Sequence, residues 1–258
     1  MLLQLDRAGI QFGGLKAVSA LELGLPEGAL YGLIGPNGAG KTTVFNLITG
    51  IYAPTEGDIR LAGRSIVGVG PANVASAGIA RTFQNIRLFP GMTVADNVKV
   101  AMNRHLSATM LESVFRAPRF WADSRACDAE ASKLLDTFGL ASVGHLGAEE
   151  LPYGLRRRLE IARALATRPK LLLLDEPAAG MNPSEADDLM HLIGWVRDTF
   201  GVTILLIEHH MPVVMGICER ITVLDHGARI AEGTPAEIRR DPVVIEAYLG
   251  SEAAELGA

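Results

Sequence analysis

The sequence predicts an α/β fold with a parallel core sheet, and three observations support this prediction. Continuous apolar runs, typical of strands buried on both faces, occur at ALYGLI (29–34), KLLLL (170–174) and VTILLI (202–207). Helical patterns alternate with these runs, as they do in α/β proteins. Several helical patterns also carry start signals in their first turn. We therefore expect the three runs to be strands of one parallel sheet.

Other segments predict the elements around that sheet. Alternating apolar and polar residues at 2–25 and 58–62 predict half-buried, antiparallel strands. Asn182, followed by Pro183, predicts an N-cap and a helix that continues to about Thr199. Thr234 begins a capping-box pattern, TPAE, which predicts a C-terminal helix.

The middle of the chain, between about residues 85 and 155, has mostly helical patterns. The best helix candidates there are Thr93 to Arg104 and Asp123 to Phe138. Because core strands are predicted on both sides of this stretch, we interpret it as a helical insertion into the α/β core. The sequence contains no internal repeat and no low-complexity linker, which favours one compact domain.

Composition excludes several classes of protein. The 258 residues are 48% hydrophobic and 21% charged, which predicts a buried core rather than disorder. The apolar runs are shorter than the ~20 residues that span a bilayer, and the N-terminus does not resemble a secretory signal. Cys127 and Cys218 have no metal-ligand spacing and suit a reducing compartment. We therefore expect a cytoplasmic protein. Its net charge of -5 predicts that it has no nucleic-acid partner.

The strongest motif is GPNGAGKTT (35–43), which matches the phosphate-binding pattern G-x-x-x-x-G-K-S/T. It stands between a predicted buried strand and a helical run, where glycines let backbone N–H groups turn toward phosphate. We expect Lys41 to reach the β- and γ-phosphates and Thr42 to offer its hydroxyl to Mg²⁺. The candidate nucleotide-binding residues here are Gly35, Pro36, Asn37, Gly38, Ala39, Gly40, Lys41, Thr42 and Thr43. Kinases, GTPases, motors and transporter ATPases all use this motif, so it does not by itself tell these classes apart.

Two carboxylates follow the apolar run 170–174. Asp175 and Glu176 would lie at the carboxyl end of a core strand, the edge where open α/β sheets bind ligands. A carboxylate there can hold Mg²⁺ through water, and a neighbouring one can orient or deprotonate an attacking water. We expect Asp175 in the metal role and Glu176 in the catalytic role.

The order of GPNGAGKTT, LPYGL (151–155) and LLLLDEP (171–177) resembles that of ABC-type ATPase subunits. In that family, the stretch before the Arg-rich helix is a signature loop aimed at the γ-phosphate of ATP on the opposing subunit. The resemblance makes Tyr153 and Gly154 nucleotide-binding candidates. The run from Arg156 to Arg158 stays ambiguous: a charge run on a helix is usually a solvated face, and we assign these arginines no catalytic role.

Further motifs match the same family. The resemblance implies that Gln84, in RTFQNIRLF, senses Mg²⁺ and links the core to the insertion. It implies that His209, in LLIEHHM, contacts the γ-phosphate as the switch histidine. Phe12, in IQFGGLKAV, matches the aromatic residue that stacks on adenine, although a core role in its strand is the alternative. The stretch 179–182 corresponds to the loop that crosses the dimer interface.

Four residues depart from the family pattern. Pro152 replaces the usual Ser, Leu155 replaces Gln, Asn182 replaces Asp, and His210 stands where Asp is common. These departures concern the strength and rate of site closure. Pro152 and Leu155 leave open a regulatory module that hydrolyses ATP slowly, whereas Glu176 and His209 argue against it.

A narrower resemblance is carried by RTFQ-x-x-RLF, DEPAAG-x-NP and the IEH form of the switch segment. Together they are similar to the ATP-binding subunit of branched-chain amino-acid importers. Relatives that import urea or amides, or export lipopolysaccharide, share many of these features and stay as alternatives. A DNA-maintenance ATPase head is disfavoured because the chain has no sustained heptads, and a small-molecule kinase or GTPase would not use the signature loop.

The resemblance implies a P-loop NTPase core of ABC type with an antiparallel β subdomain and a helical insertion. We predict a single domain, 1–258, with the core and β subdomain at 1–84 and 156–258 and the helical part at 85–155. The predicted catalytic residues are Glu176, His209 and Gln84, and the predicted metal residues are Thr42, Gln84 and Asp175. The cofactors would be ATP and Mg²⁺.

The same resemblance implies the partners of the chain. It would pair with an identical or paralogous ATPase subunit and with two transmembrane permease subunits, and indirectly with a periplasmic solute-binding protein. Through the permease it would lie on the inner face of the cell membrane. The solute, and the choice between an identical and a paralogous partner, stay open.

Overall fold

The computed structural model describes residues 1–103, 118–209 and 211–255, and the chain divides into two units. The first unit is formed by Met1–Arg81 and Lys170–Ala258, and the second by Thr82–Pro169. In the described residues the strands are β1 (Leu3–Phe12), β2 (Leu15–Leu25), β3 (Leu30–Ile34), β4 (Glu56–Leu61), β5 (Arg64–Ser65), β6 (Ile79–Arg81), β7 (Leu171–Asp175), β8 (Thr203–Ile207), β9 (Arg220–Asp225) and β10 (Ala228–Gly233). The α-helices are α1 (Lys41–Ile48), α2 (Pro71–Ala77), α3 (Val94–Met102), α4 (Pro118–Thr137), α5 (Tyr153–Ala166), α6 (Pro183–Phe200), α7 (Met211–Ile217), α8 (Pro235–Ile238) and α9 (Pro242–Glu255).

The core of the first unit is a sheet with the strand order β10-β9-β3-β8-β7-β6. All of its pairs are parallel except that of β10 with β9. Every residue of β3, β7 and β8 is buried, as continuous apolar strands of a parallel sheet should be. The three predicted core strands are therefore confirmed, each beginning one residue later than its apolar run.

A second sheet of the first unit has the order β2-β1-β4-β5, and its pairs are antiparallel. In β4, Ile59 and Leu61 are buried while Arg60 between them is exposed, which is the alternation of a sheet with one face in the core. The antiparallel prediction for 2–25 and 58–62 is confirmed.

Helix starts in the first unit follow the predicted caps. The Asn182 side chain accepts a hydrogen bond from Glu185 N at 3.0 Å, and the Glu185 carboxylate accepts one from Asn182 N at 3.1 Å. Thr234 and Glu237 form a second capping box, at α8. This helix is short, and a new helix, α9, begins at Pro242, a residue that disfavours the helical conformation in the residue before it.

The second unit consists mainly of α3, α4 and α5, which pack pairwise against one another. The Thr93 hydroxyl caps α3 by accepting a hydrogen bond from Asp96 N at 3.0 Å. The two predicted helices are confirmed with changed bounds, Val94–Met102 and Pro118–Thr137, and Arg104 lies outside the described residues. Among the helices that the structure describes, none is both long enough and apolar enough to cross a lipid bilayer.

Candidate functional site

The predicted phosphate loop joins β3 to α1 in the first unit, and two of its glycines are fixed by close packing. Gly35 has φ +149°, and a Cβ there would lie 2.0 Å from Leu224 O of β9. Gly40, the N-cap of α1, has φ +99°, and a Cβ there would lie 2.6 Å from Ala17 O of β2. Only glycine fits these positions, because the loop backbone packs closely against two neighbouring strands.

Lys41 turns back into the loop that precedes it. Its side chain is buried, and Nζ donates hydrogen bonds to Gly35 O at 2.7 Å and to Pro36 O at 2.9 Å. Burial lowers the pKa of Lys41, while the negative charges of Glu176 and Asp175 oppose that shift. An ammonium group has three donors, so Lys41 can hold the loop and still offer a donor to a phosphate oxygen.

The other predicted residues of the loop differ in their accessibility. Asn37, Gly38 and Thr42 are exposed, so their polar groups are accessible to a ligand. Thr43 is half-buried, whereas Pro36 and Ala39 are buried and serve the shape of the loop. The arrangement fits a nucleotide phosphate with a cation, because exposed backbone and hydroxyl groups surround one buried ammonium group.

We expect Gly35→Ala to lower the free energy of unfolding by more than about 3 kcal/mol, because a strained φ adds to a steric overlap. Gly38→Ala is the matched control, since a Cβ at Gly38 meets nothing within 4 Å and only the positive φ is unfavourable. We expect about 1 kcal/mol for this variant. Denaturant unfolding of both variants measures the difference, and equal losses would contradict the packing described for Gly35.

Asp175, at the end of β7, is held by a buried ion pair. Its Oδ2 lies 2.8 Å from Nη2 of Arg81, at the end of β6, and both side chains are 6% exposed. Arg81 Nη1 also donates to Asn46 Oδ1 of α1 at 2.7 Å. The orientation of the Asp175 carboxylate is therefore fixed by β6 and α1. Sequence reasoning missed Arg81, because no local pattern links residues that are 94 positions apart.

Glu176 and His209 come together at the ends of β7 and β8. The Glu176 N–H donates to Ile207 O at 2.9 Å, which joins the two strand ends. Glu176 Oε2 lies 3.8 Å from His209 Nδ1, and the histidine side chain is 58% exposed. Glu176 has φ +46°, an uncommon conformation for a residue with a side chain and one that is enriched at functional sites. The Glu176 carboxylate and the His209 imidazole can therefore both contact a ligand bound at the carboxyl ends of β7 and β8.

Phe12 lies at the end of β1 and is 45% exposed. Its ring meets the ring of Tyr52 edge to face, with centroids 5.2 Å apart. This exposure removes the alternative that Phe12 is a core residue. It leaves an aromatic surface that can stack on a planar base. Tyr52 was missed because it stands in a turn after α1, outside any recognised motif.

The Arg-rich segment of the second unit, which the sequence left ambiguous, contains a buried arginine. Arg157 is fully buried and pairs with Glu160 at 2.7 Å. It also donates to Phe83 O at 2.8 Å and to Gln84 O at 2.9 Å. The solvated face that is usual for a charge run is therefore not found at Arg157, because the helix turns this side chain toward the segment that carries Gln84. The side chain of Gln84 is itself exposed.

The predicted signature loop ends at the start of α5. Pro152 is the N-cap in an extended conformation and makes no side-chain cap hydrogen bond. Tyr153, 44% exposed, and Gly154 therefore form the first turn of the helix. This is the expected position of Pro152, since proline is tolerated where a helix begins. The structure places Gln84, Tyr153 and Gly154 in the second unit and the other predicted site residues in the first.

Comparison with known proteins was made for sequence and for structure. Residues 18–179 match the family model described as "ABC transporter", and residues 228–254 match the one described as "Branched-chain amino acid ATP-binding cassette transporter". The chain is 48% identical to the high-affinity branched-chain amino acid transport ATP-binding protein BraF of Pseudomonas aeruginosa, over 96% of this chain and 98% of BraF. It is 46% identical to LivG of Escherichia coli, which has the same description, over 96% of this chain and 98% of LivG.

A solved structure agrees with these relatives. The fold matches the ADP conformation of MJ1267, an ATP-binding cassette of an ABC transporter, with a TM-score of 0.81 and 30% identity. The match covers 96% of this chain and 98% of that one. The predicted α/β fold of ABC type is thereby confirmed, and nucleotide is the ligand class of the site. This chain belongs to the ABC transporter ATPases and, among them, to the family of branched-chain amino acid transport ATP-binding proteins.

Proposed function

We propose that this chain binds ATP with Mg²⁺ and hydrolyses it to drive the uptake of branched-chain amino acids. The observation that carries this proposal is the position of a buried ammonium group, Lys41, in a glycine loop, together with Glu176 and His209 at two adjacent strand ends of the same unit. In this arrangement, different residues would bind the phosphates, orient the ligand and accept the proton of the attacking water.

Lys41 and the backbone N–H groups of the loop bind the phosphates, and the ring of Phe12, supported by Tyr52, stacks on the adenine. Mg²⁺, when bound, neutralises charge on the β- and γ-phosphates. We propose that Thr42 and Asp175, both in the first unit, hold it, and the role of Gln84 as a third metal residue stays a prediction from the sequence. The Arg81 ion pair engages Oδ2 of Asp175, which orients this carboxylate before the cation binds.

Glu176 is the general base in this proposal. Its carboxylate accepts the proton of the attacking water, and His209 donates a hydrogen bond to the γ-phosphate. The 3.8 Å between Glu176 Oε2 and His209 Nδ1 is longer than a hydrogen bond, so these two atoms are not bonded to each other in this structure. Catalytic hydrogen bonds often tighten only when substrate is bound.

We propose that a second ATPase subunit, identical or paralogous, completes each site. Tyr153 and Gly154 in the first turn of α5 would meet the γ-phosphate bound by the partner, where backbone N–H groups and the helix dipole favour an anion. Two transmembrane permease subunits would receive the motion of the helical part, residues 85–155, and would hold this chain at the inner face of the membrane. A periplasmic binding protein would deliver the solute. ATP favours the closed state only through its differential affinity for that state.

The choice of solute rests on the relatives. BraF and LivG are both described as high-affinity branched-chain amino acid transport proteins, and each aligns with nearly the whole of this chain. The match of residues 228–254 to the branched-chain family model adds support from the C-terminal region, where α8 and most of α9 lie. We therefore propose leucine, isoleucine and valine as the solutes that this ATPase helps to import.

Uptake of labelled solutes tests this proposal. A strain that lacks this gene should lose high-affinity uptake of leucine, isoleucine and valine. The wild-type gene should restore uptake, whereas the Glu176→Gln gene should not. Urea uptake and lipopolysaccharide export are measured in the same strains. Normal leucine uptake, together with a defect in either of these processes, would contradict the proposed solute and point to the corresponding relative.

A further inference from the structure

Glu208 is a buried carboxylate that connects the two catalytic segments, and the sequence analysis gave it no role although it is the glutamate of the IEH form. It follows β8 directly, and its side chain is buried, with 1% of its surface exposed. Oε1 accepts a hydrogen bond from Ala178 N at 2.9 Å, and Oε2 accepts one from His209 N at 3.1 Å. One carboxylate therefore holds the backbone of two segments that lie about 30 residues apart in sequence.

The two bonded N–H groups belong to the segments that carry the catalytic side chains. Ala178 follows Glu176 by two residues, and the turn between them is closed by a hydrogen bond from Ala179 N to Glu176 O at 3.1 Å. On the other side, Glu208 Oε2 lies 3.9 Å from His209 Nδ1, close to the 3.8 Å that separates this nitrogen from Glu176 Oε2. The imidazole of His209 is thus flanked by two carboxylates.

Packing alone does not account for a carboxylate at this position. Burying an ionised carboxylate is costly, and an apolar side chain of similar size would fill the same space without that cost. β7 and β8 are already joined by their parallel ladder. The carboxylate adds hydrogen bonds to the backbone N–H groups of Ala178 and His209, and bonds of this kind to a carboxylate are stronger than those between neutral groups.

We propose that Glu208 is a positioning residue that fixes the distance between the Glu176 loop and His209. It does not touch the nucleotide, and it acts through the two segments that do. This inference rests on the proposed catalytic roles of Glu176 and His209. Loss of the two hydrogen bonds of Glu208 would leave nucleotide binding intact but would let Glu176 and His209 shift relative to each other. Small misplacements of catalytic groups are costly for the rate of hydrolysis.

Glu208→Gln is the first test, because glutamine keeps the shape but presents an NH₂ group to one of the two N–H donors. We expect kcat for ATP hydrolysis to fall about 10- to 100-fold, the effect of a small misplacement of catalytic groups, while the KM and the affinity for a fluorescent ATP analogue stay within about threefold. The matched control is Glu219→Gln, which also neutralises a glutamate of the first unit, but one with a 51% exposed side chain. This control should leave kcat, the KM and the affinity for the ATP analogue unchanged.

A double-mutant cycle separates positioning from a general structural role. If Glu208 acts through His209, Glu208→Gln should have little further effect on single-turnover hydrolysis in a His209→Ala background. Full additivity of the two effects, or an unchanged kcat in folded Glu208→Gln protein, would overturn the proposal. So would a loss of ATP affinity as large as the loss of kcat.

Glu208→Asp provides a second variant if the glutamine protein does not fold. Aspartate keeps the charge but is one methylene shorter, so it cannot span both N–H groups, and we expect the same loss of kcat with binding retained. An unchanged kcat in this variant would also overturn the proposal. Normal hydrolysis by Glu176→Gln and His209→Ala would instead overturn the proposed catalytic roles, so the two failures are distinguishable.

Discussion

Replacement of Glu176 by glutamine should leave ATP binding intact and reduce turnover about 10²- to 10⁴-fold, the range for loss of a general base. Glutamine has the same shape, so the φ of +46° and the hydrogen bond from this residue's N–H to Ile207 O are retained. Only the capacity to accept a proton from water is lost. Steady-state phosphate release measures turnover, and titration with a fluorescent ATP analogue measures binding.

The control for this variant is again Glu219→Gln, which removes one negative charge from an exposed position outside the candidate site. Its turnover should equal that of the parent. If Glu176→Gln hydrolysed ATP at the parental rate, Glu176 would be removed from the role of base. If the variant failed to bind ATP, the carboxylate would have a binding role instead.

Gly154→Asp should weaken ATP-dependent association of two subunits by at least about 100-fold, because a like-charge contact across an interface costs several kcal/mol. Gly154 lies in the first turn of α5, where the proposed partner phosphate is received. A carboxylate there would face the γ-phosphate. Turnover should fall in parallel, since the site is proposed to be complete only in the closed pair.

This variant is not expected to damage the fold. Aspartate is a better helix former than glycine, and a negative charge in the first turn of a helix is favourable. Gly154→Ala is the control, since it adds a Cβ without charge and should associate far better than the aspartate variant. Thermal unfolding of the nucleotide-free proteins checks stability. Unchanged association of Gly154→Asp would show that α5 does not face a bound nucleotide.

Much of the fold could be predicted from the sequence because the signals are local. A fully buried strand such as β7 needs nearly continuous apolar residues, and a helix such as α6 begins with a cap whose hydrogen bonds span three residues. The phosphate loop is also local, since its glycines, lysine and threonine lie in one short stretch. These parts were predicted to within a few residues.

The parts that were missed depend on distant pairing. The strand β6 has three residues, too few to show a period, and it is a strand only because it pairs with β7. Likewise, the partners of Asp175 and of Ala178 lie 94 and 30 positions away. A charge run does not reveal that one of its members, Arg157, turns inward, because burial is decided by the segment that packs against it.

The measurement that tests the central claim most directly is the mass of Glu176→Gln protein in solution with ATP and Mg²⁺, by light scattering. With ATP, we predict a mass twice that of the single chain. With ADP, or with ATP when the protein carries both Glu176→Gln and Gly154→Asp, we predict the mass of a single chain. If the partner is a paralogue, the doubled mass should appear only in a mixture with that subunit. A single-chain mass with ATP, both alone and in that mixture, would contradict the claim that a neighbouring subunit completes the nucleotide site.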